Sequence, residues 1–202
     1  MKIGEFELEI EEMVYEPSDD SFLLAENLNI NPNDRVLEIG TGSGIVAMYA
    51  SKLTDDVTAT DINFNAIELA ERNFKNNNIN NIKLLFGDLF EPIKSELDKK
   101  DQKFDVILFN TPYLPTEECE ILEDNLNYAF DGGLDGRKVI DQFLKELKNY
   151  LNKGGRLQLI QSSLANVDET LLKLEEKGFK TEITASERFF FEEIVLINGF
   201  LE

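Results

Sequence analysis

A carboxamide, a hydroxyl, a proline and a phenol stand in a row at Asn110, Thr111, Pro112 and Tyr113, directly after the apolar run FDVILF. Such a set can grip a planar NH2 group. An amino or amide nitrogen attached to a π-system is a poor nucleophile, because its lone pair is delocalised. The Asn110 side-chain oxygen and the Thr111 backbone carbonyl can accept its two N–H groups. That aims the nitrogen at an electrophile and favours the charge developing on it. Pro112 fixes the backbone that presents the carbonyl, and the Tyr113 ring can pack on the flat group. No base has to act during transfer, since the proton can leave afterwards. Adenine, guanine, cytosine and glutamine side chains all carry such a group. A proline turn that merely caps a strand is the plainer alternative.

A second constellation lies upstream. EIGTGSG places Glu38, Gly40, Gly42 and Gly44 between an apolar run and a helical pattern. Glycines there permit a tight turn and close approach of a ligand to the backbone. Asp61 ends the next apolar run and is followed by Ile62; Asp88 and Leu89 follow a third run. Asp61 can accept both hydroxyls of a ribose. Asp88 can accept from the exocyclic amine of an adenine, with Leu89 or Ile62 packing on the ring. A nicotinamide dinucleotide usually demands G-x-G-x-x-G opening onto a helix N-terminus, whereas the loop here reads G-x-G-x-G behind an acid. Glu38 is awkward for a diphosphate and suits the ammonium or ligand water of an amino-acid moiety. The set favours S-adenosylmethionine, and the two constellations together favour methyl transfer to nitrogen.

Composition narrows the rest. The 202 residues contain no histidine, which removes the commonest metal ligand and general base. One cysteine, Cys119, excludes an internal disulfide framework, fits a reducing compartment and has no histidine to pair with as a nucleophile. The net charge is −20, with acids spread along the whole chain. That balance opposes non-specific nucleic-acid binding and would attract a basic protein partner, or simply keep the surface solvated. No apolar run approaches the roughly 20 residues that span a bilayer, and no signal-peptide core opens the chain. A cytoplasmic protein without membrane contact is expected.

These residues need a scaffold that brings them to one edge. From residue 35 the pattern alternates strand and helix: strands over 35–40, 57–61, 82–88, 104–110 and 156–162, helices over 44–53, 64–77, 137–151 and 167–178. The helix over 137–151 is expected to close at Lys153-Gly154-Gly155. FELEI (6–10) reads as a short strand, and Ser18-Asp19-Asp20-Ser21 as the capped start of a helix. Residues 179–200 read as a hairpin. The expected fold is α/β, a Rossmann-like class I methyltransferase. It has a mostly parallel seven-stranded sheet, a C-terminal antiparallel hairpin and helices on both faces. One domain spans 1–202, with 1–30 as a cap segment over the cofactor and 31–202 as the core. Every polar group named above falls at the C-terminal end of a strand.

Asn-x-Pro-Tyr behind a glutamate-glycine loop resembles the class I amino-methyltransferases. VYEPSDDSFLL (14–24) and AFDGGLDGRKVIDQFL (129–144) resemble, more narrowly, the HemK/PrmC-type release-factor glutamine methyltransferases, in particular their short archaeal and eukaryotic branch. The resemblance runs from residue 14 to about 196. It implies N5-methylation of the glutamine in the Gly-Gly-Gln motif of a peptide chain release factor. It further implies that Tyr15, Glu16, Pro17 and Ser21 fold over the cofactor. Glu38, Gly40, Asp61, Asp88 and Leu89 would bind that cofactor, while Asn110, Pro112 and Tyr113 hold the target amide. Some members of the branch work with a small zinc-ribbon activator that adds a strand beside the sheet edge; IKLLF (82–86) is a candidate edge, or an ordinary covered strand.

Two positions depart from the pattern. Thr111 stands where the family usually has proline, which lowers backbone rigidity at the clamp, and Phe64 follows Asn63 where proline is common. AFDGGLDG is either a pair of glycine turns before a helix or a substrate-facing loop that sets Asp131 and Asp135 against a basic partner. The rival readings are adenine N6-methylation of DNA or RNA, a non-catalytic methyltransferase-fold partner subunit and, more distantly, a nicotinamide oxidoreductase.

Overall fold

Val36 to Ile39 and Val106 to Phe109 are buried without alternation, as strands covered on both faces must be. The computed structural model describes residues 1–99, 102–116 and 125–202, and it makes these runs the centre of a sheet. They are β3 (Arg35–Ile39) and β6 (Phe104–Asn110), parallel neighbours with Ile39 opposite Phe109. Ahead of them come a two-residue pair, β1 (Lys2–Ile3) and β2 (Phe6–Glu7), and α1 (Asp19–Ala25). After β3 follow α2 (Ile45–Ala50), β4 (Asp56–Asp61), α3 (Phe64–Asn76), β5 (Ile82–Phe86) and α4 (Glu91–Glu96). After β6 follow α5 (Lys138–Tyr150), β7 (Leu151–Ser162), α6 (Val167–Glu176), β8 (Phe179–Arg188) and β9 (Glu193–Leu201).

The seven-stranded sheet has the order β5-β4-β3-β6-β7-β9-β8. β5, β4, β3, β6 and β7 are parallel; β9 runs antiparallel to both β7 and β8. The fold is the expected class I methyltransferase α/β architecture with its C-terminal antiparallel hairpin. Chain order reverses between β3 and β6, so a crevice opens beyond the carboxyl ends of those two strands. Most of the buried apolar side chains join one core cluster, and Phe6, Leu8, Leu24 and Ala25 of the N-terminal segment belong to it with the sheet residues.

Three local expectations change. The segment 6–10 contributes only Phe6–Glu7 as strand. Beyond it, Asn73 of α3 and Asn77 at its C-terminal cap take over the backbone pairing. Asn77 Oδ1 accepts the Glu7 N–H (2.9 Å) and Asn73 Oδ1 the Glu9 N–H (2.7 Å), while Asn73 Nδ2 reaches the Ser43 carbonyl (2.9 Å). The helix expected over 137–151 ends at Tyr150, and Lys153-Gly154-Gly155 is not its cap. Leu151 is already extended and pairs with Phe104, so the glycines absorb a register shift inside β7. A Cβ on Gly155 would stand 2.8 Å from the Asn152 carbonyl oxygen. Finally, α4 was not expected. Pro92 sits in its first turn, where a missing N–H costs nothing. Phe90 just before it stacks on Tyr150, with ring centroids 4.1 Å apart.

Candidate active site

The crevice is a cavity of about 500 Å³ into which the ends of β3, β4, β5 and β6 project. In the turn after β3, Gly42 has φ +55, and a Cβ there would meet nothing within 4 Å. The backbone at this point faces open space that a ligand can fill. Its N–H donates to Asp61 Oδ2 (2.8 Å), and Asp61 Oδ1 accepts from the Asn63 N–H (2.8 Å). The turn and the β4 carboxylate are thereby locked together, and Asp61 lines the cavity.

Glu38 is 3% exposed and accepts a hydrogen bond from Thr41 Oγ1 at 2.6 Å. Burial pushes its carboxyl up to about 8, with the charge of Asp61 adding to the shift against the Thr41 bond. Burial also pushes Asp61 up to about 6, opposed by the N–H groups it accepts. Two under-solvated carboxyls on adjacent strands favour a ligand that brings positive charge and hydroxyl donors. A diphosphate would meet repulsion. The ammonium, sulfonium and ribose hydroxyls of S-adenosylmethionine fit that donor demand. After β5, Leu89 holds φ +43 although it is not glycine, and it is buried against the cavity beside half-buried Asp88. Backbone strain of this kind persists where the surroundings fix it, typically at ligand sites.

Asn110 ends β6 opposite Ile160 of β7. Its Nδ2 lies 3.5 Å from Ser21 Oγ, while its Oδ1 is buried and has no hydrogen-bond partner. An orphaned buried acceptor is uncommon, costs free energy and marks a place for an incoming donor. Thr111 answers the concern about rigidity. Its side chain is 3% exposed, and Oγ1 donates to the Ile160 carbonyl at 2.8 Å, tying the clamp to β7 where a proline ring would stiffen it.

Tyr113 and Tyr15 converge on Asp20. The Tyr113 hydroxyl donates to Asp20 Oδ2 (3.2 Å) and the Tyr15 hydroxyl to Oδ1 (3.0 Å), which also accepts the Ser21 N–H (2.6 Å). Burial first, then the Asp20 charge, raises both phenols well above the usual tyrosine range, so both stay protonated donors. This buried carboxylate links the N-terminal segment to the loop after β6.

AFDGGLDG packs against the loop after β6, and its Ala129, Phe130 and Asp131 line the same cavity. The Leu114 carbonyl accepts the Gly132 N–H (3.0 Å), the Leu114 N–H donates to the Phe130 carbonyl (3.2 Å), and Tyr15 meets the Phe130 ring edge-on at 5.3 Å. Gly136 (φ +71) is so close that a Cβ would lie 2.4 Å from the Tyr113 carbonyl oxygen. The carboxylates of this loop are engaged locally: Asp131 accepts the Gly133 N–H and Asp135 the Arg137 N–H. Buried Arg137 in turn holds the Ala165 and Asn166 carbonyls and the Thr170 hydroxyl.

Of the residues expected in the site, Tyr15, Pro17, Ser21, Glu38, Gly40, Gly42, Asp61, Ile62, Asp88, Leu89, Asn110, Thr111, Pro112 and Tyr113 line this one cavity. Glu16 and Gly44 do not. Glu16 is exposed to solvent. Gly44 (φ +88) serves packing, since a Cβ there would sit 2.5 Å from the Phe74 ring of α3. Cys119 lies outside the described residues. Asp20 was read only as an acid in a helix's first turn; a carboxylate with tyrosines five positions before it and after Pro112 gives no periodic signal.

Comparison with known proteins agrees with this geometry. The methyltransferase small domain family matches residues 17–190. A Methanocaldococcus jannaschii protein provisionally named a protein N5-glutamine methyltransferase is 46% identical over 98% of both chains. A release factor glutamine methyltransferase of Rhodopirellula baltica is 33% identical over 85% of this chain and 58% of its own. Among solved structures, a chain of the E. cuniculi Mtq2–Trm112 complex, responsible for methylating the translation termination factor eRF1, superposes with a TM-score of 0.68. It is 26% identical and covers 94% of this chain and 99% of its own. The chain belongs to the methyltransferase small domain family and, within it, to the S-adenosylmethionine-dependent protein-glutamine methyltransferases.

Proposed function

We propose that this enzyme N5-methylates the glutamine of the Gly-Gly-Gln motif of a peptide chain release factor. The observation that carries the reading is the buried, unpartnered Oδ1 of Asn110 in the same cavity as the Glu38–Asp61 pair. The names of the M. jannaschii, R. baltica and E. cuniculi relatives support it.

Glu38, Asp61 and Asp88 would hold S-adenosylmethionine, with Gly42 giving it room and Leu89 and Ile62 flanking the adenine. When bound, the cofactor supplies an electrophilic methyl group. The chain's own contribution is positioning. Asn110 Oδ1 and the Thr111 carbonyl accept the two N–H groups of the glutamine carboxamide, and the Tyr113 ring backs its flat face. Thr111 Oγ1 ties the residue that presents the second acceptor to β7, and Asp20 holds the Tyr113 ring. Proton loss to solvent follows once the nitrogen carries its new methyl group.

Residues 1–30 act as the cap over the cofactor; Tyr15, Pro17 and Ser21 already form one wall of the cavity. Among the described residues β5 is an outer strand of the sheet, and Phe86 at its end is 56% exposed against Phe64 (ring centroids 5.6 Å). A small zinc-ribbon subunit would add its strand there; the Mtq2 neighbour is found in complex with a partner, Trm112. Among the described residues no helix is long and apolar enough to cross a membrane. A release-factor substrate places the enzyme in the cytoplasm.

The test is methyl transfer from labelled S-adenosylmethionine to a release factor, to the same factor lacking the Gly-Gly-Gln glutamine, and to duplex DNA. Label on the first alone is expected. Label surviving the glutamine replacement, or appearing on DNA alone, refutes the proposal.

A further inference from the structure

Phe189, Phe190 and Phe191 occupy the turn between β8 and β9, and Phe190 and Phe191 are 93% and 85% exposed. Two bare phenyl rings on a chain of net charge −20 are a costly surface feature, and exposed apolar patches of this kind mark interaction sites. The turn is built rather than loose. The Phe189 N–H donates to the Glu192 carbonyl (2.8 Å), and the Glu192 carboxylate accepts from Ser162 Oγ (2.6 Å). The Glu193 N–H reaches Ser163 Oγ (3.0 Å). The rings of Phe190 and Phe191 meet edge-on, with centroids 4.7 Å apart.

The position of this turn says what it meets. Phe189 and Glu192 line the cavity that holds Asn110, so the aromatic tip is the outward continuation of the catalytic wall. Exposed Leu164 stands on the adjoining turn after β7. A chain whose side chain reaches Asn110 enters the same cavity that this turn lines. We propose that the Phe189–Phe191 turn is the docking surface for the folded protein that carries the acceptor glutamine. It would engage an apolar patch, set among basic residues, beside the acceptor loop. The inference rests on the glutamine-methyltransferase reading above. Charge argues for such a partner over the other occupants of an aromatic tip. A second copy would set −20 against −20, and an anionic membrane would repel the glutamates around the turn. Arg188, the base nearest the tip, is paired with Glu193.

The test uses Phe190→Ser/Phe191→Ser, which changes two side chains outside the cavity lining. Binding is measured by calorimetry to a release factor whose acceptor glutamine is alanine. Rates are measured on the intact factor and on a short Gly-Gly-Gln peptide. The expected result is a rise of at least about tenfold in Kd and KM for the folded factor, ~1.4 kcal/mol, with cofactor affinity and peptide turnover unchanged. Unchanged Kd and KM, or an equal loss on the peptide, overturns the proposal. If the wild type binds the factor without methylating it and the double variant loses that binding, docking stands and the functional reading falls. A wild type that neither binds nor methylates overturns both. Dimers that dissociate in the variant, or vesicles of phosphatidylglycerol bound only by the wild type, assign the turn to another occupant and overturn it as well.

Discussion

Replacing Asp20 by alanine removes a carboxylate that touches neither methyl donor nor acceptor in the proposed reaction, yet it should impair turnover. Asp20 is 5% exposed and accepts from Tyr15, Tyr113 and the Ser21 N–H. Hydrogen bonds to a charged group contribute roughly 1.5–3 kcal/mol each. The phenol contacts, at 3.0 and 3.2 Å, are longer than the roughly 2.5–2.7 Å of a strong O–H···O⁻ bond, which places each near the low end of that range. For Tyr113 alone, about 1–1.5 kcal/mol corresponds to roughly a tenfold fall in kcat/KM for the release factor, since each 1.4 kcal/mol is a factor of ten. A double-mutant cycle gives the decisive assay. Tyr113→Phe should cost about tenfold in the wild-type background and little in Asp20→Ala, leaving a coupling energy on the order of 1 kcal/mol. Additive losses would show that Asp20 supports folding alone. An unchanged rate in Asp20→Ala with native thermal stability would refute the link between cap and clamp altogether.

Three further outcomes follow from the same geometry. Asn110→Ala should leave cofactor affinity nearly intact and lower turnover by at least about tenfold, ~1.4 kcal/mol of transition-state stabilisation; equal loss of cofactor binding in calorimetry would show that Asn110 serves the donor side. Gly136→Ala combines a left-handed backbone with a Cβ 2.4 Å from the Tyr113 carbonyl oxygen and 2.9 Å from Ala165 Cβ. Strain and overpacking together should destabilise by about 2–5 kcal/mol in denaturant unfolding, and an unchanged midpoint would contradict the packing. The raised carboxyls of Glu38 and Asp61 give a pH signature. Their folded values, about 8 and about 6, exceed their unfolded ones of 4.5 and 3.8, so the stability they confer is full below about 4 and declines as pH rises to 8. Thermal midpoints of Glu38→Gln should therefore fall less than wild type between pH 5 and 8, and cofactor affinity of the wild type should rise over that window as the carboxyls ionise.

Much of this arrangement could be read from residue order, and the parts that could not have identifiable causes. Glu38, Asp61, Asp88 and Asn110 were legible because each lies at or just past the end of a strand-like run, and parallel strands bring such ends to one edge whatever their sequence separation. Gly42 and Gly44 looked alike in the sequence. Only packing separates them, since Gly42 faces empty cavity and Gly44 faces Phe74. The end of α5 was misplaced because Lys-Gly-Gly resembles a helix cap, while the pairing of Leu151 with Phe104 is a long-range contact that overrides the local signal. Asp20 stayed hidden for a related reason. Its partner Tyr113 lies 93 positions away and is brought near only when α1 settles beside β6. Thr111 was weighed as a missing proline, when its hydroxyl had a carbonyl waiting on the neighbouring strand.

The unpartnered oxygen of Asn110 also bears on why an amide, and not a carboxylate, should be the acceptor. A buried acceptor without a donor costs roughly 1–3 kcal/mol, and that cost is relieved only by a group carrying N–H or O–H. A glutamine side chain brings two N–H donors, matching Asn110 Oδ1 and the Thr111 carbonyl. A glutamate in the same place would set oxygen against oxygen beside Asp20, Asp61 and Glu38, in a cavity where burial already makes two carboxyls hold their protons past the usual range. Sites built to accept hydrogen bonds reject analogues lacking the donors far more strongly than apolar pockets reject a missing methylene. In the proposed reaction, selectivity for the carboxamide thus arises from the same unpaired oxygen that orients it, and the carboxyls that favour a cationic methyl donor exclude the anionic competitor.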